Sequence, residues 1–507
     1  LHPGITSTVM EEIVDPRLLD SLTKLANAEY SDVETRLRWK VQSALDTDKG
    51  GLDVGGSLDR AAPAFVASLF SCYRRMKQQC TLHCNLDIAR TMTTTWVAFR
   101  SEYETLRQRR IEAELKYAAL ASQEYHSNRG GILNGFHPKG LPPAKAMAPI
   151  ADIVTPESKF STPAQRTLTS VNKAARWLRV LDACHAVDKV QGTMATIKHR
   201  EASRFIAASQ EGAGAAFDIS PDGSFAARIP SPEFTVIMQR QGGLVISEAD
   251  GLCYDAYDKY GDKFSNNGEY NRRHNSVLYK TRDAMVAVAI GSIVQGDKAE
   301  PEKVSYINEG KTVDIAEIGG DEVTGGDVCV DTKVPSPLTK SGTSSAGRGS
   351  VQNGGKPASV GHIFAFGNTE ELLRITVLGC RRRGRRRDGP LNHSTGKGWV
   401  KEVRGDYADA LSKGSRVIPA VVETMGGVVP HFRAYLRYLA RRARRAHALD
   451  GTVYGTSRTS ATSFYVHHVQ RIALAAQLGD ARGIRRAVRE RKQSLFATSI
   501  RSGGGSA

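Results

Sequence analysis

Asp314 and the run Asp331-Thr332-Lys333 are the residues whose types and spacing come nearest to a reaction centre. Each falls in a stretch, 312–318 or 327–334, that alternates apolar and polar residues as half-buried strands do. Two carboxylates on successive strands can share a Mg2+ ion, which takes oxygen ligands and keeps part of its water shell. A lysine two residues beyond the second acid points to the same side of a strand, because side chains alternate. The ion would polarise a phosphate and the lysine would orient or activate water, which is the chemistry of phosphodiester hydrolysis. The spacing alone also describes an exposed edge strand carrying charge, since Asp-x-Lys recurs by chance.

Other reactive side chains have plainer explanations. Cys72, Cys80, His83 and Cys84 place four potential zinc ligands within 13 positions, but the spacing fits no standard finger or ribbon. They read as buried thiols. Cys184-His185 and His467-His468 read as core or surface residues, and no metal ligands are expected in any of these groups. The seven cysteines, odd in number and scattered over 507 residues, point to reduced thiols inside a cell. The chain begins at Leu1 with no initiator methionine and no secretory pattern, which suggests a processed or incomplete product. No apolar run approaches the roughly 18–20 residues that span a bilayer, so no membrane partner is expected.

Charge is distributed very unevenly. Residues 381–507 hold 26 Lys and Arg against 8 Asp and Glu, whereas residues 1–380 are close to neutral. A neutral body with a basic end suits a polyanion, because each phosphate contact releases condensed counterions. Six arginines crowd into seven positions at Arg381, Arg382, Arg383, Arg385, Arg386 and Arg387. No aromatic residue interrupts them, so phosphate contacts are expected and little base readout. Between His431 and His447, Phe432, Tyr435, Leu436 and Leu439 form an apolar stripe. Arg433, Arg437, Arg441 and Arg444 lie on another face, with Arg442 and Arg445 beside them. Arg482, Arg485, Arg486 and Arg489 repeat the pattern nearer the end.

The elements that must position these groups can be read from punctuation and period. Asp15-Pro16 starts a helix through Leu18, Leu19, Leu22 and Leu25, and Gly50-Gly51 marks a turn. Residues 61–72 and 101–125 read as helices. Thr162-Pro163-Ala164-Gln165 offers an N-cap, a first-turn proline and a capping-box glutamine, opening a helical region to about Gln210. Runs at 373–378 and 417–422 add β-branched strands, and 335–359 is rich in Ser, Gly, Lys and Thr without a core pattern.

Several segments together resemble one family: the region after the polymerase in non-LTR retrotransposon proteins that carry a restriction-like, PD-(D/E)XK, endonuclease, above all the algal and protist copies. Gly50-Gly51-Leu52-Asp53-Val54 and the run 61–68 resemble the segment after the thumb. Gly212-Ala213-Gly214-Ala215-Ala216 and Pro232-Glu233-Phe234 resemble the connector. Asp258-Lys259-Tyr260-Gly261-Asp262 and Arg273-His274-Asn275 resemble the knuckle and the helix after it. Gly367-Asn368-Thr369-Glu370-Glu371, the run 388–396, Gly405-Asp406-Tyr407-Ala408-Asp409-Ala410, Glu423-Thr424-Met425-Gly426-Gly427 and the run 463–468 resemble its C-terminal part. The resemblance places the nuclease acids at Asp314 and Asp331. Only Cys253 of the knuckle's three cysteines is kept, and Lys263 stands where its histidine would be, so no zinc is expected there. The lysine-tyrosine pair before the last strand reads Asp406-Tyr407, and no polymerase palm is present.

The expected fold is α+β: a helical N-terminal half, a small mixed sheet of restriction-endonuclease-like type, and a basic helical C-terminal region. The expected divisions are a thumb- or connector-like region 1–125, a linker 126–161 and a helical connector 162–250. A degenerate knuckle with the first half of the sheet follows at 251–334, then a flexible insertion at 335–360. The second half of the sheet with the arginine loop occupies 361–430, and a basic helical region 431–507. Two functions compete. The first is a non-catalytic, retroelement-derived nucleic-acid-binding subunit of an RNA–protein assembly such as an organellar ribosome. It would bind RNA in preference to DNA, have other proteins as partners, need no cofactor, and reside in the mitochondrion or nucleus. The alternative is a nicking endonuclease using Asp314, Asp331 and Lys333 with Mg2+; a genome-packaging coat protein is a third reading.

Overall fold

The structure is a computed structural model and describes residues 13–27, 33–53, 61–71, 93–128, 141, 147–149, 165–191, 200–218, 229–246, 260–261, 270–295, 313–336, 407–445 and 464–503. The described residues are mostly helical, with one small mixed sheet. The four cysteines and histidine of the degenerate groups at 72–84 and 253, Lys263, most of the linker beyond residue 128, the insertion after residue 336, the strand expected at 373–378 and the Arg381–Arg387 run lie outside the described residues, whereas Leu141, Met147 and Ala148 of the linker are buried.

The N-terminal half is built from α1 (Asp15–Leu25), α2 (Val33–Ser43), α3 (Thr93–Asn128), α4 (Gln165–Gln191) and α5 (Arg200–Ala208), with residues 61–71 also helical. Pro16 stands in the first turn of α1, where its missing N–H costs nothing. Of the helical region expected to run to Gln210, α4 covers Gln165–Gln191 and α5 covers Arg200–Ala208, and residues 192–199 lie outside the described residues. Trp177, Leu181 and Phe205 bring α4 and α5 together, and the Tyr117 ring of α3 stacks on Trp177 at 5.9 Å.

These helices meet the rest of the chain through a buried polar node. After α6 (Ala215–Asp218), α7 (Ser231–Gly242) ends at Gly243, whose φ of +63° closes the helix in the left-handed conformation. The buried guanidinium of Arg38 donates to the carbonyls of Gly242 at 2.6 Å and Gly243 at 3.2 Å, and Arg204 donates to that of Gln241. Glu201 is the carboxylate between the two arginines, 2.9 Å from Arg204 Nε and 3.5 Å from Arg38 Nε. The second positive charge faces the negative end of the α7 dipole and its unpaired carbonyls.

The sheet follows α8 (Tyr270–Val286). Strands β1 (Ser292–Gln295), β2 (Ile315–Ile318) and β3 (Val328–Lys333) are antiparallel neighbours. After α9 (Ala408–Ser412), β4 (Arg416–Val421) returns parallel to β3, giving the order β1-β2-β3-β4. Among the described residues the order is therefore helix, three antiparallel strands, a short helix, parallel strand. One face carries Ile315, Val328, Val330, Ile418 and Val422 into the main core, under α8, α10 (Pro430–Arg445) and α11 (Phe464–Gly503). The other carries Ala316, Cys329 and Val417 against Tyr407 and Ala410. Alternation predicted half-buried strands at 312–318 and 327–334, but β3 is buried on both faces. The polar positions of the alternation, Glu317 and Asp331, are covered as well. Ala215, Ala216, Val236 and Ile237 of α6 and α7 belong to the same core.

Two buried carboxylates, Glu317 and Asp480, tie these helices to the sheet and to one another. Arg442 of α10 clamps the buried Glu317 of β2, Nη1 to Oε2 at 2.9 Å and Nη2 to Oε1 at 2.5 Å. Asp480 of α11 takes Arg273 of α8 at 3.0 Å and Arg240 of α7 at 3.2 Å. Gly479 permits that approach, because a Cβ there would lie 3.0–3.2 Å from the Arg273 side chain.

Candidate functional site

The site lies where β2 begins and β3 ends. The register pairs Ile315 with Val330, so the next step outward sets Asp314 opposite Asp331. Asp331 and Lys333 share a face of β3 by the two-residue period. The three residues singled out in the sequence are thus brought together, Asp314 in the bend before β2 and the other two on β3.

Asp331 is 5% exposed. Tyr407 donates its hydroxyl to Oδ1 at 2.9 Å, from the segment that leads into α9. Lys333 Nζ stands 3.0 Å from Oδ1 and 2.9 Å from Oδ2, but only the first contact has hydrogen-bond geometry. Oδ2 is therefore a buried carboxylate oxygen with a charge beside it and no hydrogen bond. Burial pushes the Asp331 carboxyl above its ordinary range. The charge of Lys333 opposes this, Asp314 adds to it, and the hydrogen bonds from Lys333 and Tyr407 do not restore it. Burial, followed by the charges of Asp331 and Asp314, raises the Tyr407 hydroxyl, so it remains a donor.

Asp314 is held through one oxygen. Its Oδ2 accepts the Thr332 N–H at 2.6 Å and lies 3.1 Å from Nε2 of His274, on α8. The same Nε2 is 3.0 Å from the Thr332 carbonyl. Burial lowers the His274 imidazole, but the hydrogen bond and charge of Asp314 outweigh it and leave His274 above its ordinary value. Sequence reasoning met His274 and Tyr407 only inside resembling segments. No spacing rule links them to Asp314 or Asp331, which are 40 and 76 positions away.

Among the described residues, no three His, Cys, Asp or Glu side chains gather into a metal-binding group. Two carboxylates still fit Mg2+, which is held by one or two carboxylates plus substrate oxygens and retains its waters. The second oxygen of Asp314 is the donor available for such an ion; the buried Oδ2 of Asp331 would join it only with Lys333 Nζ displaced from its 2.9 Å contact.

The arginines divide into two groups. Arg442 is buried on Glu317, Arg433 pairs with Glu211, and Arg485 donates to Glu233 at 3.0 Å. All three are paired within the fold; Arg442, 2% exposed, is withdrawn from solvent, whereas Arg433 and Arg485 keep part of their surface. Arg437 is more than half exposed, lies 3.8 Å from Glu211 and covers the Tyr465 ring at 5.0 Å. Arg441, Arg444, Arg482, Arg486 and Arg489 face solvent, Arg486 beside Glu490 at 3.0 Å. The Arg445 side chain and the run Arg381, Arg382, Arg383, Arg385, Arg386 and Arg387 lie outside the described residues. Cys184 is a buried thiol outside any disulfide, and burial holds the buried His468 down to about 3, so both are core residues.

No described helix is long and apolar enough to cross a membrane. No family model matches the chain, and neither do any curated protein or solved structure.

Proposed function

We propose that this chain binds nucleic acid and hydrolyses a phosphodiester bond at Asp314, Asp331 and Lys333, as a Mg2+-dependent nicking endonuclease on a restriction-endonuclease-like core. The observation that carries this reading is the convergence of the three residues at one end of a sheet whose described strands are three antiparallel neighbours and a fourth parallel to the third. The retrotransposon resemblance leads to the same two acids. Magnesium, when bound by Asp314 and Asp331, supplies a Lewis acid for the phosphate and lowers the pKa of a bound water. The chain's own residues do the rest. Tyr407 fixes the Asp331 carboxylate, and burial excludes bulk water from its inner side. Lys333 brings a partly exposed ammonium within reach of a phosphate oxygen or an attacking water. The exposed arginines of α10 and α11 supply sequence-independent contacts to the backbone.

One observation favours the runner-up. The Lys333 ammonium already spans both oxygens of a buried Asp331, so a protein cation stands where a metal would bind. On that reading the pair is structural, and the chain is a retroelement-derived, non-catalytic RNA-binding subunit of a larger assembly. A supercoiled plasmid or a branched duplex separates the two. The nuclease reading expects nicking with Mg2+ that Asp331→Ala abolishes. If wild type and variant are equally inert across metals and substrates, the enzyme reading is lost. Steeply salt-dependent binding to structured RNA would then remain as the mark of the subunit.

A further inference from the structure

We propose that His274 is the positioning residue of this site: its Nε2–H, together with the Thr332 N–H, pins Oδ2 of Asp314 and so turns Oδ1 toward a divalent cation. The inference rests on the nuclease reading and deepens it.

The argument begins with what the neighbours of Nε2 can do. The Asp314 carboxylate at 3.1 Å and the Thr332 carbonyl at 3.0 Å are both acceptors. Nε2 must therefore carry a proton, which it shares between them. The Thr332 N–H reaches the same Oδ2 at 2.6 Å. With both donors on one oxygen, rotating the carboxylate about its Cβ–Cγ bond would break both hydrogen bonds. Among the described residues, no hydrogen bond engages Oδ1. Asp314 also sits in a bend before β2 rather than inside the ladder, so side-chain contacts decide its orientation.

His274 can act as a fixed post because its helix is fixed. The adjacent Arg273 is buried against Asp480, and Gly479 brings α11 close behind it. One imidazole thus links α8, the start of β2 and the end of β3. A ligating carboxylate oriented by outer hydrogen bonds typically loses roughly 10–100-fold in metal affinity when the outer partner is removed.

The test measures Mn2+ binding to the full chain by paramagnetic resonance of the free ion, alongside melting temperature. His274→Ala should weaken Mn2+ roughly 10–100-fold, and His274→Gln, whose amide N–H can reach the same oxygens, should restore most of the affinity. In an Asp314→Asn background, His274→Ala should cause no further loss, because the two residues act as one unit. Unchanged Mn2+ binding in His274→Ala would overturn the inference and leave the nuclease reading standing. So would an equal loss in the Asp314→Asn background, or a failure of glutamine to restore binding. If wild type binds no Mn2+ that Asp314→Asn removes, the nuclease reading and the inference fall together.

Discussion

At the scale of single residues, the chain carries acids in two electrostatic situations. Asp331 is buried but has an ammonium and a hydroxyl on it. Glu423, at the turn after β4, is equally buried, yet neither carboxyl oxygen has a hydrogen-bond partner, and burial raises it well above 4.5. Burial therefore favours the protonated Glu423 carboxyl in the folded chain, whereas the unfolded chain releases that proton above about pH 4.5. Stability contributed this way is present below that pH and falls as pH rises toward the folded value. Thermal melts from pH 5 to 9 should show this decline in wild type and a flatter profile in Glu423→Gln. Parallel profiles would mean that Glu423 is ionised or solvated in the fold. His468 acts in the opposite sense: held near 3 against an ordinary 6.5, it costs stability as pH falls below 6.5.

Among elements, the Arg442–Glu317 pair decides how α10 sits on the sheet. Removing one partner leaves the other buried and unpaired, so Arg442→Met should cost about 3–5 kcal/mol in a denaturant titration. Replacing both with apolar residues of similar size should recover much of that. A single-variant loss under about 1 kcal/mol would mean the pair is solvated. This pair also explains what was legible in the sequence. The strands β2, β3 and β4 and the helices α1 and α10 follow from period and punctuation, which are local. The apolar stripe of α10 is buried as its spacing implies, but the arginines beside it look alike in sequence. Whether an arginine meets Glu317, Glu211 or water depends on residues more than 100 positions away. The same limit hid His274 and Tyr407. Asp314, Asp331 and Lys333 were legible because two of them share a strand and the third immediately precedes the adjacent one.

For the whole molecule, the question is where a polyanion would lie. The exposed guanidiniums of α11, at Arg482, Arg486 and Arg489, recur at three- and four-residue intervals along one side of the helix. Changing Arg482 and Arg489 together to alanine should weaken nucleic-acid binding and flatten the log-affinity against log-salt slope by about 2. An unchanged slope would place the polyanion elsewhere. The core that α6 and α7 share with the sheet makes the arginine helices and the acidic site parts of one packed unit. The measurement that bears most directly on the central claim is a Mg2+ time course on an end-labelled branched duplex, comparing wild type with Asp314→Asn and Lys333→Ala. The endonuclease reading expects product from wild type alone, abolished by a chelator. Equal cleavage by all three chains, or none by any, would contradict it.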